Sequence, residues 1–183
     1  MSYVLTGNPG VGKHTIAKEI SKILHRSIID INKIAFEFGL FEKNEDTYDV
    51  DVNKLKNLIK EKISSQDLIV GHLAPYVLST SQIKKVIVLR KNPHDLLTIY
   101  KQRKYSTEKI KDNLGSEALG IILHDAVAEF GEEKILQINV TGKSIKKITK
   151  QIMDSINGKI EDDNVDWLSS IVGENELKEF FAY

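Results

Sequence analysis

Five short apolar runs in this chain alternate with longer segments that have the apolar period of a helix. The runs are Tyr3–Leu5, Ser27–Ile31, Leu68–Val70, Val86–Leu89 and Ile135–Val140. Each run has the length of a strand, and the segments between the runs are long enough for helices. Because strands separated by helices form right-handed βαβ units, this order predicts an α/β fold with a doubly wound, five-stranded parallel sheet.

The helical segments carry start and stop signals. We predict helices at residues 13–25 and 55–63, after Asn92-Pro93, and at residues 107–130 and 144–156. Asp51 or Asn53 is placed to cap the second of these helices, because both side chains can accept from backbone N–H groups in a first turn. Gly115 and Gly120 are weak points in the fourth helix.

The composition excludes several classes of protein. Of the 183 residues, 41% are hydrophobic and 28% are charged, which is typical of a globular domain. The formal net charge is zero, so bulk charge does not favour nucleic-acid binding. Cysteine is absent, which excludes disulfides, thiolate metal sites and cysteine nucleophiles. No apolar stretch approaches the ~20 residues of a membrane span, and we expect a cytoplasmic protein without a signal peptide.

The most informative motif lies between the first strand and the first helix. It reads Gly7-Asn8-Pro9-Gly10-Val11-Gly12-Lys13-His14-Thr15. Glycines at this spacing let backbone N–H groups turn inward as an anion nest, and the helix N-terminus adds the positive end of its dipole. Lys13 supplies a full positive charge that can reach the outer phosphates of a nucleotide. The motif therefore predicts a nucleotide polyphosphate site.

One position departs from the general motif. A Ser or Thr usually follows the lysine and binds Mg²⁺ through its hydroxyl, whereas here the residue is His14. Because Mg²⁺ prefers oxygen ligands, we expect water and nucleotide phosphates to hold the metal, with help from Thr15. The alternative for His14 is a plain position on the helix surface.

The motif Gly-x-Pro-Gly-x-Gly-Lys-x-Thr resembles that of nucleoside monophosphate (NMP) kinases, and of adenylate kinases in particular. A second stretch, from Gln102 to Asn113 with Glu117 beyond it, resembles the short lid of the archaeal and eukaryotic adenylate kinase isoenzyme 6 type. In that family Arg-Gly-Tyr opens the lid, and here Lys104 replaces the glycine. The resemblance covers roughly residues 1–157.

The resemblance implies a P-loop NTPase domain at residues 1–158, with an NMP-binding region at about 30–52 and a lid at about 102–112. It implies a broad-specificity NMP kinase that uses ATP with Mg²⁺, most simply an adenylate kinase that converts ATP and AMP to two ADP, with ATPase activity beside it. The family is also linked to ribosome biogenesis. The alternative function is therefore an ATPase switch in small-subunit and 16S rRNA maturation that binds an S11-family ribosomal protein.

The third strand shows another departure from the family, which has Asp-x-His after this strand. Here Gly71 and His72 follow Val70, so the acid is missing and the histidine is kept. Gly71 could let a base or phosphate approach closely. His72 is a candidate for catalysis or water positioning, with a structural role as the alternative.

Two arginines complete the predicted site. Arg103, in the lid, can bridge phosphate oxygens during transfer, and Arg90, at the end of a buried strand, contacts the nucleotide or forms a structural ion pair. The catalytic candidates are therefore Lys13, Arg103 and His72. The predicted nucleotide-binding residues are Gly7, Gly10, Gly12, Lys13, His14, Thr15, Arg103 and Arg90, and the predicted metal ligand is Thr15.

The C-terminal stretch, residues 159–183, is predicted to form a helical appendage. It follows a polar break after Gly158 and contains several large apolar side chains, among them Trp167 and Phe180. We expect a pair of helices docked on the domain, with a partner-binding arm as the alternative.

Overall fold

A five-stranded parallel sheet forms the centre of the computed structural model, which describes residues 1–44, 47–159, 163–173 and 177–181. The strands in chain order are β1 Ser2–Thr6, β2 Ile28–Asp30, β3 Phe41–Asn44, β4 Thr47–Val50, β5 Leu68–Val70, β6 Ile83–Arg90 and β7 Ile135–Asn139. The central sheet has the order β2-β5-β1-β6-β7, and every pairing in it is parallel. The predicted α/β fold with five parallel strands is confirmed.

Ten α-helices surround the sheet within the described ranges. They are α1 Lys13–Leu24, α2 Ile31–Glu37, α3 Val52–Lys62, α4 Ala74–Val77, α5 Pro93–Gln102, α6 Thr107–Leu119, α7 Ile121–Phe130, α8 Ile145–Ile156, α9 Trp167–Gly173 and α10 Leu177–Phe180. Of the two proposed caps for α3, Asp51 accepts from the Lys54 N–H at 3.0 Å. The long predicted helix breaks at Gly120, whose φ of 67° ends α6 and starts α7.

Strands β1 and β5 and residues 86–90 of β6 are buried on both faces, which explains why the sequence shows continuous apolar runs there. Alternate residues of β1 enter different cores: Leu5 packs with α1, α8 and α6 on one face, and Val4 packs with α2, α3 and α7 on the other. The carboxyl ends of β1, β2 and β5 lie side by side, because Leu5 pairs with Val70 and Val70 pairs with Asp30. Ligand sites of such sheets form at this edge.

The region between β2 and α3, which contains the predicted NMP-binding region, has regular structure that the strand and helix predictions did not include. The helix α2 is present, and β3 and β4 form an antiparallel hairpin after it. Phe41 and Val50 are cross-strand partners in this hairpin, and both half-buried side chains pack against the core next to α3. Four-residue strands give too few alternating positions for a clear sequence signal.

Strand β2 is also shorter than predicted, because Asp30 ends it. The Asp30 carboxylate accepts from the backbone N–H groups of Asn32 and Lys33, at 3.0 and 3.1 Å, and so caps α2. Ile31, predicted as the last strand residue, is therefore the first residue of the helix.

The C-terminal helices α9 and α10 pack against α6. Ile171 and Phe180 are 1% and 0% exposed and belong to the same core cluster as Leu5. Within the described ranges, no helix is long and apolar enough to cross a membrane.

Candidate active site

The loop between β1 and α1, residues 7–12, is called the phosphate loop below. Gly7 and Gly12 have φ angles of 132° and 94°, which side chains rarely adopt. A Cβ on Gly7 would also collide with the carbonyl oxygen of Leu89. Gly12 gives no side-chain cap to α1. The N–H groups of its first turn are thus directed toward a ligand rather than toward a capping side chain.

Lys13 lies folded back under the phosphate loop. Its Nζ donates to the carbonyl oxygens of Gly7 at 2.7 Å and of Asn8 at 2.8 Å. Burial is the main reason why the pKa of Lys13 falls to about 7; Glu117 and Asp30 oppose this fall, and Arg103 adds to it. An anion in the loop would favour the charged form of this amine.

A cavity of about 730 Å³ opens in front of the loop. This volume is in the range of small-molecule and cofactor sites. It is lined by the phosphate loop and first turn of α1, by α2 and the hairpin, by the end of β5, and by the lid. The lining residues are Pro9, Gly10, Gly12, Lys13, His14, Thr15, Asn32, Phe41, Asp49, Val50, Val52, His72, Leu73, Arg103, Tyr105, Lys109, Asp112 and Asn113.

His14 and Thr15 both line this cavity and are exposed. The Nε2 of His14 lies 2.7 Å from Oδ2 of Asp30, so this exposed histidine has a carboxylate partner. Asp30 is also the register partner of Val70, the last residue of β5. A carboxylate is therefore present at this edge of the sheet, one strand away. Within the described residues, no three His, Cys, Asp or Glu side chains form a metal cluster.

His72 lines the cavity at the end of β5. Burial, with smaller contributions from Lys13 and Lys109, lowers its pKa to about 4. The imidazole is thus neutral near pH 7. The neighbouring Gly71 does not serve ligand approach as expected: a Cβ there would lie 2.7 Å from Cβ of Ile31, so the glycine is needed for α2 to pack on β5.

The lid is connected to the phosphate loop by aromatic side chains. Tyr100 donates its hydroxyl to the Pro9 carbonyl at 2.6 Å and stacks on Tyr105, with ring centroids 5.5 Å apart. Arg103 ends α5, is exposed, and lines the cavity with Nη1 3.4 Å from the Tyr105 hydroxyl. Lys109 Nζ lies 4.7 Å from the centroid of the Tyr105 ring. Positive groups thus converge from the loop and from the lid.

A family model described as an AAA domain matches residues 4–120. A protein of Sulfurisphaera tokodaii named "Putative adenylate kinase" is 33% identical over 172 residues, covering 92% of this chain and 87% of that protein. One of Saccharolobus solfataricus with the same name is 30% identical, covering 92% and 88%. The chain belongs to this P-loop kinase family.

Solved P-loop kinases share the fold. Shikimate kinase from Bacteroides thetaiotaomicron has a TM-score of 0.57 at 18% identity and covers 86% of this chain and 98% of its own. Shikimate kinase from Aquifex aeolicus has a TM-score of 0.56 at 16% identity, covering 86% and 97%. At these identities the likeness concerns the fold alone.

Arg90 is the predicted site residue that the structure places elsewhere. It is 3% exposed, its Nε donates to Glu117 at 2.8 Å, and its Nη1 donates to Gln137 at 2.8 Å. It does not line the cavity of about 730 Å³. Of the two roles considered for Arg90, the structure shows the buried ion pair, because Glu117 from α6 reaches the end of β6.

Asp30 and Asn32 lie in the predicted NMP-binding region of about residues 30–52, but sequence reasoning gave neither side chain a role. Both lie where β2 meets α2, at the carboxyl edge of the sheet. A carboxylate at the end of a parallel strand was the available signal for Asp30. Asn32 lines the cavity only because α2 begins immediately after the strand, which the predicted strand end at Ile31 concealed.

The family's lid glycine position gives a prediction about stability. Lys104 has a φ of 56°, a left-handed conformation that costs an L-residue roughly 1–2 kcal/mol. We expect Lys104→Gly to leave the free energy of unfolding unchanged or to raise it by about 0.5 kcal/mol, because relief of this strain outweighs the added entropy of the unfolded chain. The matched variant Lys56→Gly, at an exposed position inside α3, should lose about 1 kcal/mol. Urea titration measures both, and equal losses would contradict the expectation.

Proposed function

We propose that this chain transfers the terminal phosphoryl group of ATP to a nucleoside monophosphate, with AMP as the main acceptor and two ADP as products. The observation that carries the proposal is that one cavity joins the phosphate loop, the lid arginine and a second wall formed by α2 and the hairpin. Such a cavity has room for a donor and an acceptor facing each other. The names of the relatives support an adenylate kinase type of activity.

The donor end is proposed to work by positioning and charge. Phosphoryl transfer requires two substrates in line and neutralisation of the charge that spreads over the moving group. The phosphate loop would hold the ATP phosphates, and Lys13 would leave its carbonyl partners to follow the transferred group. Arg103 would approach from the lid and bind phosphate oxygens bidentately.

Magnesium fits this arrangement through oxygen ligands. Thr15 lines the cavity, and its hydroxyl, ATP and water would supply the oxygens. The imidazole of His14 lies 2.7 Å from the Asp30 carboxylate and is proposed to orient it. When bound, Mg²⁺ would neutralise charge on the ATP phosphates.

The acceptor is proposed to lie against Asn32, the hairpin and Val52. Oδ1 of Asn32 is buried and, among the described residues, has no hydrogen-bond partner. A buried acceptor without a donor is costly, so a hydroxyl or amino group of the monophosphate would stabilise this side chain. Neutral His72, which lines the cavity, is proposed to hold a water or a substrate oxygen rather than to add charge.

The proposal is tested by ADP formation from ATP and Mg²⁺, with and without AMP, CMP, UMP or GMP. We expect AMP to raise the rate by at least about tenfold, because closure around two substrates excludes the water that competes as acceptor. Lys13→Met, assayed in parallel, identifies any contaminating kinase.

Hydrolysis that is indifferent to every monophosphate would contradict phosphotransfer and favour the ATPase alternative. That alternative, with an S11-family ribosomal protein as partner and a role in rRNA maturation, rests on the family resemblance. Retention of small-subunit proteins on the immobilised chain would then be the next measurement. A cytoplasmic location likewise stays a prediction.

A further inference from the structure

The carboxylate of Glu117 is completely buried and connects three parts of the molecule. Glu117 lies on α6 and is 0% exposed. Oε2 accepts from Nδ2 of Asn8 at 2.7 Å, and Oε1 accepts from Nε of Arg90 at 2.8 Å and from Nε1 of Trp167 at 3.2 Å. The Lys91 N–H donates to Oε1 as well, at 3.0 Å. Four donors occupy nearly all the lone-pair positions of one carboxylate.

The donors to Glu117 come from different parts of the fold, among them the phosphate loop and the C-terminal appendage. Asn8 belongs to the phosphate loop, and its carbonyl oxygen accepts from Nζ of Lys13 at 2.8 Å. Trp167 is the first residue of α9 in the C-terminal appendage. The helix that carries Glu117 also places Asp112 and Lys109 at the cavity, five and eight residues nearer its N-terminus. One carboxylate therefore contacts the loop directly and the C-terminal helix directly.

A fully bonded buried carboxylate allows little freedom to its partners. Arg90 balances the charge, and its Nη2 also donates to the Glu117 carbonyl oxygen at 2.7 Å, which fixes the side chain from two sides. Charge-assisted hydrogen bonds in a buried network are strong and strengthen one another. The position of the Asn8 side chain, and with it the loop carbonyl that Lys13 contacts, is thus set by Glu117.

We propose that Glu117 is a positioning residue that holds the phosphate loop in its anion-binding shape through Asn8, and that Trp167 of the C-terminal helix is part of the same device. This inference rests on the proposed function only in taking ATP as the ligand of the loop. The C-terminal appendage is then more than a cover for the core. Its docking increases the affinity of the loop for phosphates, and a ligand in the loop is sensed at Trp167.

The charge of Glu117 also favours anion binding, because it favours the charged form of Lys13. It is the largest electrostatic influence that opposes the lowering of the Lys13 pKa by burial. Loop shape and lysine charge therefore both depend on the same carboxylate.

The test uses the two neutral donors. Substituting Glu117 itself would leave Arg90 buried without a counter-charge and endanger folding. Asn8→Ala and Trp167→Phe each remove one donor, and the double variant closes a thermodynamic cycle. ATP affinity is measured by calorimetry in the full-length protein, with Asn57→Ala in the exposed face of α3 as the control. Unliganded melting temperatures are recorded for all four variants.

We expect Asn8→Ala to weaken ATP binding about tenfold, which corresponds to about 1.4 kcal/mol. Trp167→Phe should weaken it about threefold, and the double variant should differ from the product of the two effects, because both donors share one acceptor. Asn57→Ala should bind ATP as the wild type does. Trp167 is the chain's only tryptophan. Its emission should change when ATP binds, which a merely structural hydrogen bond does not predict.

Wild-type affinity in either single variant, effects that simply multiply, or an unchanged emission would overturn the inference. If the wild type itself does not bind ATP, the proposed function fails and this inference fails with it. If the wild type binds ATP and the variants bind ATP with the same affinity, the proposed function stands and the role of Glu117 is rejected. Acceptance of AMP has no part in the measurement.

Discussion

Replacing Lys13 by methionine should reduce phosphoryl transfer by about a thousandfold or more. The side chain is the buried cation of the phosphate loop, and methionine keeps its length and apolar stem but removes the charge. Losing one preorganised donor to a developing negative charge typically costs 10²–10³ in rate, and here a full charge is lost. The rate of ADP formation from ATP and AMP measures the effect. Lys18→Met, at an exposed position of the same helix, is the matched control and should be neutral.

The same variant should be more stable than the wild type below pH 7. The pKa of Lys13 is about 7 in the fold and 10.5 in its ordinary state, so the unfolded chain binds more protons between these values. The contribution of Lys13 to the free energy of unfolding therefore rises with pH from 7 to 10.5. Below pH 7 the full cost of burying the charged Lys13 amine is present. Methionine removes a cost of a few kcal/mol. Melting temperatures at pH 6 and pH 10 should differ more for the wild type than for Lys13→Met.

A variant with normal turnover would disprove the role of Lys13, and a variant that melts lower at pH 6 would disprove the account of its burial. The two results are independent. Lost activity with increased stability is the signature of a residue kept for function at the expense of the fold.

The fold could be predicted because its signals are local and repeated. Strands β1, β5 and β6 contain uninterrupted apolar runs where both faces are covered, and Val86–Leu89 is the clearest case. The caps at Asp51 and Asn92 follow from side chains that accept from the first turn. The hairpin after α2 escaped prediction because its strands are short and its stability comes from packing against distant residues.

The site was predicted unevenly for a similar reason. The phosphate loop is continuous in sequence, so its residues form a motif that can be recognised without the structure. Partners that meet only through the fold gave no such signal: His14 with Asp30, Arg90 with Glu117, and Asn8 with Glu117 across 109 positions. Gly71 was assigned to ligand approach, whereas its neighbour in space is Ile31. The spacing of residues in the sequence predicts the backbone conformation of a motif well, but it does not predict which buried charged side chains form pairs.

Replacing Arg103 by alanine should lower kcat by about a hundredfold or more while the KM for ATP changes little. Arg103 ends α5 and is exposed, and its Nη1 lies 3.4 Å from the Tyr105 hydroxyl, a weak contact that leaves it available to a phosphate. An arginine that stabilises the transferring group is worth 10³–10⁵ in related phosphoryl transfers. Because the contact between Arg103 and the transferring phosphoryl group is made mainly in the transition state, its loss should lower kcat rather than raise KM. Steady-state kinetics with saturating AMP separates the two constants.

Two further variants make the Arg103 prediction specific. Lys101→Ala removes an exposed charge from the last turn of the same helix and should keep kcat within about twofold. Arg103→Lys keeps the charge but loses the planar fork, so its kcat should fall between those of the wild type and Arg103→Ala. Equal losses in the alanine and lysine variants would contradict a contribution of charge alone, and a full kcat in Arg103→Lys would contradict a role for bidentate binding.

The pH dependence distinguishes action on the phosphate from action through Lys13. Arg103 contributes to the low pKa of Lys13. We expect kcat/KM of the wild type to fall above about pH 7, and Arg103→Ala should raise the Lys13 pKa and move this alkaline fall to higher pH. The other charged groups that act on Lys13 are Glu117 and Asp30, which neither variant alters. If Arg103 acted only by tuning Lys13, its removal would increase the cationic fraction at pH 8 and raise kcat/KM there. A fall in kcat together with an alkaline limb shifted upward therefore assigns Arg103 to the transferring phosphoryl group itself.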